Sequence, residues 1–505
     1  MINRREFLRT GLAASLVGFD IGCLDAEGED TDIGFDGGTV LVIGAGIAGL
    51  AAARRLAERG IEVIVLEAAA EVGGRIWTDR RLGVAVDMGP TWIEGTAGNP
   101  ISILARDAGL LTVSSDFDKA LLFDTGGRLL SDEAMDDIEE SFEELLEEAE
   151  EYGENLNADI SIAAALRRIA GGAAQTPEMS WARSVTEIEA TVSLDAISLW
   201  YGDEGEELGG DDVVYPNGYQ QVADALSEGL DVRLLHTVLA VEHGDSSGVR
   251  VVTNRGTFAG DAAVVTLPLG VLKAGAVTFS PPLPSWKQEA IARLGMGAAI
   301  TMAMRFPEVF WHEDAEFLSQ VSGTPGEYPE FHNVRRYTGG NVLTCVLTGE
   351  YLERARKLAD EQLVAEAVAA LRRCYGSRVP AADGYIVGRW HDWPLASGTY
   401  SYLAVGATPE DRERLADPVG TRLFFAGEAT HRDYPATIHG AYLSGVKEAD
   451  RMIRSAERNL QPCPSASAQE GRSVAMPLSA PHSRRTTTKR RRRWRRGPSG
   501  AMNAC

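Results

Sequence analysis

Gly44, Gly46 and Gly49 are spaced as Gly-x-Gly-x-x-Gly, and an acid, Glu67, follows about 20 residues on. Glycines in this pattern act through the backbone. Gly44 permits a tight turn, Gly46 lets the main chain approach a pyrophosphate, and Gly49 lets a helix pack closely on a strand. Ile47 and Ala48 lie where that helix begins. Its free N–H groups and positive dipole end suit phosphate oxygens. Glu67 can accept hydrogen bonds from an adenosine ribose.

The elements that must hold these residues can be read on either side of them. Val40-Leu41-Val42-Ile43 is a short continuous apolar run, the pattern of a buried parallel strand. Leu50 to Arg59 reads as an amphipathic helix rich in Ala, Leu and Arg. Gly60 ends it, and Ile61 to Leu66 is a second strand closed by Glu67. Strand, glycines, helix, strand and acid in this order specify a dinucleotide site. They do not separate NAD from FAD.

Other segments make that separation by resemblance. Glu71-Val72-Gly73-Gly74-Arg75-Ile76-Trp77-Thr78 resembles the second glycine pair and arginine of the flavin amine oxidase family. Asp87-Met88-Gly89-Pro90-Thr91-Trp92-Ile93-Glu94-Gly95 is similar to its next flavin-contacting segment. Thr266 to Leu272, Phe425-Ala426-Gly427-Glu428-Ala429-Thr430 and Tyr434-Pro435-Ala436-Thr437-Ile438-His439-Gly440-Ala441 complete the pattern. The resemblance runs from about Gly38 to Ile453, and among relatives it is nearest to polyamine oxidases and histone-demethylase type amine oxidases.

That resemblance implies an α/β fold. A Rossmann-like FAD-binding domain would gather residues 36–95, 213–276 and 415–455. A discontinuous α+β substrate domain with a mixed sheet would gather 96–212 and 277–414. It also implies roles. Val238 meets the adenine through its backbone, Glu428 reaches the ribityl and pyrophosphate, and Trp390 flanks the isoalloxazine. Glu94 lies near the substrate channel, where a carboxylate could hold a second ammonium group. Tyr400 forms one wall of an aromatic cage before the flavin, and the opposite wall falls at Thr437.

Two departures from the family pattern bear on chemistry. Members that bind flavin covalently use a cysteine near Thr399, and none stands here, so noncovalent FAD is expected. The family also has a lysine that holds a water at flavin N5. Gly295 to Pro307 aligns on both flanks and puts Thr301 in the lysine position. A threonine can hydrogen-bond water but carries no charge.

The chain has 505 residues and a net charge of −24. All ten charged residues of 472–505 are Lys or Arg, so the body is more acidic than the whole. An acidic body argues against nucleic acid as its main ligand and suits cationic ligands, or solubility alone. The five cysteines make no disulfide framework or zinc pattern, and no metal is expected. Asn3-Arg4-Arg5-Glu6-Phe7-Leu8-Arg9 before a short apolar stretch reads as a twin-arginine signal over residues 1–33. The expected partner is then the twin-arginine export machinery, and the expected location is the periplasm or cell envelope of a bacterium. Membrane attachment is expected only if Cys23 carries lipid. Residues 456–505 read as a disordered basic tail. Ser131 to Glu154 is a helix candidate with an apolar stripe of Ile138, Phe142, Leu145, Leu146 and Ala149 and thirteen acids over the rest.

The function expected from these residues is FAD-dependent oxidation of a small, polyamine-like amine. A hydride passes to flavin, the imine hydrolyses, and oxygen reoxidises the flavin to give hydrogen peroxide. The alternatives are an L-amino-acid oxidase, a desaturase-like FAD oxidoreductase, or a dehydrogenase that uses another acceptor because Thr301 replaces the lysine.

Overall fold

Thr39–Ile43 is a strand whose last four residues are buried, as its apolar run requires. Burying each such Val, Leu or Ile contributes roughly 1.5–3 kcal/mol. In the computed structural model, which describes residues 35, 37–172, 175–202, 204–244 and 248–460, this strand is the centre of a five-stranded sheet. The order is Leu423–Phe425, Ala262–Val265, Thr39–Ile43, Glu62–Leu66, Asp231–Arg233. Every pairing in it is parallel. The sheet therefore draws strands from the start, middle and end of the described chain.

The helix after the first strand is Ile47–Ala57, three residues ahead of the start read from sequence. It packs against the last helix, Ile438–Leu460. Gly445 makes this approach: a Cβ there would lie 2.1 Å from the Ala48 carbonyl oxygen. Beside the parallel sheet stands a four-stranded sheet that includes Val238–Gly244.

A six-stranded sheet runs in the order Gly384–Arg389, Ile300–Arg305, Val342–Leu347, Glu330–Asn333, Phe317–Gln320, Ala120–Phe123. Its pairs are antiparallel except the last, which is parallel. One core, around Met302, Phe331 and Leu343, includes Leu363, Ala367 and Leu371 of the helix Asp360–Tyr375. Another, around Phe317 and Leu122, includes Phe142 and Trp181 of the helices Asp132–Gly153 and Pro177–Ala190. The fold is thus α/β, with a parallel nucleotide-type sheet and a mixed sheet.

The helix Asp132–Gly153 fills the acidic stretch expected to be helical, with Ser131 accepting a hydrogen bond from the Ala134 N–H at 3.2 Å. Its face differs from the expected one. Glu139 and Glu143 are buried with Met135, Phe142, Leu146 and Ala149, while Ile138 and Leu145 are only partly buried. Among the described residues, no helix is long and apolar enough to cross a membrane, and no cluster of His, Cys, Asp or Glu is arranged to hold a metal. The signal expected over 1–33 and Cys23 lie outside the described residues, as does the expected tail except for 456–460, which continue the last helix rather than begin a disordered segment.

Candidate active site: a nucleotide cleft that opens into an acidic and aromatic chamber

The glycine loop turns at Gly44, whose φ is +106°. A Cβ at Gly49 would lie 2.0 Å from the Gly44 carbonyl oxygen, so Gly49 is a packing glycine that brings the helix onto the loop. A Cβ at Gly46 would meet no protein atom nearer than 4.0 Å, although Gly46 lines a cavity. The space beside it is therefore left for something that is not protein. Gly46 is the N-cap of Ile47–Ala57, and no side chain caps that helix. Its first N–H groups are available to an anion.

Glu67 closes the second strand and is 7% exposed. Its carboxylate accepts the Ala45 N–H at 2.6 Å and the Ala69 N–H at 2.7 Å. It therefore holds the glycine loop as well as facing the cavity. Each oxygen keeps a second acceptor site for a ribose hydroxyl. Gly73 continues the loop by donating its N–H to the Ala45 carbonyl at 2.8 Å.

The cavity has a volume of about 750 Å³. Every residue singled out from sequence lines it except Gly49: the loop glycines, Glu67, Gly73 to Arg75, Gly89 to Trp92, Glu94, Val238, Thr301, Trp390, Tyr400, Gly427, Glu428 and Ala436 to Ile438. At Gly427 φ is +142° and a Cβ would meet nothing within 4 Å, a second opening like that at Gly46.

Behind this wall runs a chain of alternating charges. Arg75 donates to Glu428 Oε1 at 2.8 Å and to the Thr399 carbonyl at 2.6 Å. Glu428 Oε2 accepts the Ser401 hydroxyl at 2.5 Å, and Ser401 Oγ accepts from Arg412 at 2.6 Å. Arg412, 1% exposed, donates through Nε to Glu204 Oε1 at 2.8 Å. Burial pushes the Glu428 carboxyl up, but Arg75, Ser401 and Arg412 outweigh it and hold the group below the usual range. Glu204 ends raised, because burial exceeds the pull of Arg412.

Trp390 is 5% exposed. Its indole N–H lies 3.1 Å from Thr301 Oγ1 and 3.2 Å from the Met88 carbonyl. Thr301, on the strand Ile300–Arg305, is itself 8% exposed. Tyr400 donates its hydroxyl to the Glu189 carbonyl. Burial, and then the charges of Glu189, Glu94 and Glu428, push its ionisation above the usual phenol range, although Thr191 works the other way. Thr437 lines the cavity, but its hydroxyl donates to the Tyr434 carbonyl and accepts the Gly440 N–H, both at 2.9 Å. It therefore works as the start of the last helix, and its exposed part offers only a small wall.

Sequence reasoning missed much of the rest of the cavity lining. Glu189, Glu204, Glu206, Glu207, Asp212 and Glu330 belong to it, with Phe117, Phe317 and Trp393. The acid-rich run from Glu204 to Asp212 was a visible signal. Glu330 and Phe317 have none, because they reach the chamber only through strand pairing, and Phe117, in the turn before Ala120–Phe123, reaches it through ring contacts with Trp92 and Phe317. Arg75 is the one Arg or Lys among the described lining residues, and it is neutralised by Glu428.

The residues present fit FAD. An uncapped helix start faces the cavity, Gly46 and Gly427 leave room, and Glu67 offers acceptors. No cysteine is among the described lining residues, so nothing there ties a flavin through sulfur.

A family described as flavin containing amine oxidoreductase matches residues 47–453. Protein FLOWERING LOCUS D of Arabidopsis thaliana is 35% identical over 441 residues, covering 83% of this chain and 56% of that protein. Lysine-specific histone demethylase 1 homolog 3 of Oryza sativa subsp. indica is 36% identical over 468 residues, covering 87% of this chain and 58% of that protein. The chain thus spans little more than half the length of these two. Polyamine oxidase 2 of Arabidopsis thaliana is 36% identical over 440 residues, covering 83% of this chain and 89% of that protein. A solved structure of wild-type putrescine oxidase bound to putrescine superposes with a TM-score of 0.68 at 20% identity. It covers 83% of this chain and 99% of that one, and shares the fold.

Proposed function

Because this chain belongs to the flavin containing amine oxidoreductase family, we propose that it oxidises a polyamine-like amine to an imine that hydrolyses to a carbonyl, with oxygen as acceptor and hydrogen peroxide as product. FAD, held noncovalently, supplies the acceptor for a hydride equivalent from the carbon beside nitrogen. The observation that carries the reading is one continuous cavity, lined both by the glycine loop and by acidic and aromatic side chains. Glu67, the start of the helix Ile47–Ala57 and the Arg75–Glu428 pair hold the cofactor. Tyr400, fixed by the Glu189 carbonyl, orients the amine by its ring face. Glu94 attracts a second ammonium group. The buried indole of Trp390 excludes water beside Thr301. An L-amino-acid oxidase fits less well, because a substrate carboxylate would find only the already paired Arg75 among the described lining cations.

Anaerobic addition of spermidine, spermine and monoamines to the FAD-loaded protein tests this. Bleaching of the flavin spectrum by an amine, followed by recovery and peroxide when oxygen is admitted, supports the reading. A flavin that stays oxidised with every amine sinks it.

A second reading is favoured by Thr301. It is a neutral hydroxyl already in contact with Trp390, and no free cation is among the described lining residues. Such a site reoxidises slowly with oxygen and suits a dehydrogenase with another acceptor. Faster reoxidation by a quinone or dye than by air-saturated buffer would favour this second reading.

The Arg4-Arg5 pair and the apolar stretch after it support export of the folded, cofactor-loaded protein by the twin-arginine route to a bacterial periplasm or envelope. Substituting both arginines by lysine and fractionating the cells tests this. Unchanged distribution would overturn it.

A further inference from the structure

We propose that Thr191 is a positioning residue for amine oxidation, which fixes the ring of Tyr400 by joining the end of the helix Pro177–Ala190 to Thr399. This rests on the amine-oxidising reading above, in which Tyr400 orients the amine.

The helix Pro177–Ala190 ends in the cavity wall, where Ile188, Glu189 and Thr191 line it beside Thr399 and Tyr400. A helix end leaves its last carbonyls without partners in the helix. Two of them are met by the closing turn: the Thr191 N–H donates to the Ile188 carbonyl at 3.2 Å, and the Val192 N–H to the Glu187 carbonyl at 3.3 Å. The Glu189 carbonyl lies between these two and Thr191, and it accepts the Tyr400 hydroxyl. The distal end of the Tyr400 ring is therefore tied to the helix terminus.

The closing turn puts Thr191 in the left-handed region, at φ +49° and ψ 30°. Glycine is the usual residue at this place, because a Cβ crowds the neighbouring carbonyl. A β-branched side chain there is an outlier that the surroundings must hold. What the threonine adds over glycine is a hydroxyl, and that hydroxyl is used. It shares a hydrogen bond of 2.6 Å with the Thr399 hydroxyl. Thr191 is 7% exposed and Thr399 8%, so the bond is shielded from bulk water. The Thr191 side chain also bears on the Tyr400 hydroxyl.

A third segment locks the pair. The Ala298 N–H donates to the Thr191 carbonyl at 2.8 Å, the Thr399 N–H to the Gly297 carbonyl at 2.9 Å, and the Gly297 N–H to the Tyr400 carbonyl at 2.8 Å. A Cβ at Gly297 would lie 2.5 Å from Thr399 Oγ1 and would strike Thr191 Oγ1 as well. The glycine thus leaves room for the two hydroxyls to meet. Tyr400 is held at its backbone by Gly297 and Thr399 and at its hydroxyl by Glu189, and Thr191 connects the two holds. A ring fixed at both ends presents one face to the cavity, which is the condition for orienting a substrate.

The test uses the full-length FAD-loaded protein as wild type, Thr191→Gly, Thr191→Ser, Thr399→Val and Tyr400→Phe. Anaerobic bleaching over a range of spermidine concentrations gives a limiting rate, with Tm and FAD content measured in parallel. Thr191→Gly removes the hydroxyl and suits the left-handed backbone, so Tm and FAD content should hold while the limiting rate falls by roughly tenfold. Thr191→Ser keeps the hydroxyl and should recover most of that rate. Thr191→Gly added to Tyr400→Phe should cost little more than Tyr400→Phe alone. A Thr191→Gly protein that bleaches as fast as wild type overturns the proposal, as does a Thr191→Ser protein no faster than Thr191→Gly. If Thr191→Gly does not load FAD, Thr399→Val, which removes the partner hydroxyl, decides by the same rate. Fluorine NMR of fluorotyrosine-labelled protein reads the ring without substrate. The signal that Tyr400→Phe deletes should shift or broaden in Thr191→Gly and stay in place in Thr191→Ser. If no amine bleaches the wild type, the amine reading falls and the role in amine oxidation with it, while the fluorine signal still decides whether Thr191 holds the ring.

Discussion

Thr301 Oγ1 receives the indole N–H of Trp390 at 3.1 Å, and the same N–H also lies 3.2 Å from the Met88 carbonyl. The hydroxyl is thus placed by a buried tryptophan, with its strand partners Val346 and Gly388 on either side. It can pass on one proton in a hydrogen bond, but it carries no charge.

Thr301→Lys should therefore speed reoxidation of the reduced protein by oxygen, by roughly tenfold or more, as fixed charge does for a developing anion. Stopped-flow mixing of the photoreduced variant with oxygenated buffer measures it. An unchanged rate would show that charge at this position does not limit oxygen use.

Gly46 and Gly49 should respond oppositely to a methyl group. Gly46→Ala places Cβ in open cavity space, so the apoprotein should keep its Tm while FAD content falls. Gly49→Ala drives Cβ against the Gly44 carbonyl oxygen at 2.0 Å and should cost about 1–3 kcal/mol of stability with or without FAD. Thermal melts of apo and loaded forms separate the two.

Removing Arg412 leaves Glu204 and Glu428 on either side of a gap in a buried charge chain. Arg412→Met should lose about 3–5 kcal/mol, and adding Glu204→Gln should restore part of it. A double-mutant cycle in denaturant reads the coupling. Strict additivity would mean that the chain is broken elsewhere.

Glu448 is 1% exposed on the last helix. Burial raises its carboxyl to about 7, against the pull of Arg451, Lys447 and Lys287, while Asp417 adds to the rise. A folded value above the unfolded one means that the native state holds an extra proton between about 4.5 and 7. Its contribution is present below that window and is lost as pH rises through it, on the order of 3 kcal/mol. Glu448→Gln keeps a neutral hydrogen-bonding group, so it should gain stability relative to wild type between pH 5 and pH 8. Parallel unfolding curves at the two pH values would contradict this.

The cofactor half was legible because backbone geometry dictates residue type. Gly44 needs positive φ, Gly49 has no room for Cβ, and both demands appear in the sequence as glycine. The first strand and helix followed from their apolar periods within three residues. The chamber was less legible because its residues meet through pairing of distant segments. Glu330 is beside Ser319 only because two strands run antiparallel, and Phe117 meets Trp92 through ring contact alone. Arg412 reads as an ordinary surface charge on a short helix, yet it is buried. In the long acidic helix, Glu139 and Glu143 are covered by neighbouring elements that no helical period could announce.

The contact of Gly445 with Ala48 joins the last described helix to the first. The parallel sheet likewise takes Leu423–Phe425 as an edge strand beside Ala262–Val265. A ribosome making this chain releases the glycine loop early and its supporting helix some four hundred residues later. The nascent loop therefore has no complete nucleotide pocket until synthesis has passed the final helix. A product truncated before Ile438 lacks both the part of the cavity wall formed by Ile438, His439 and Ala441 and the helix that packs on Ala48.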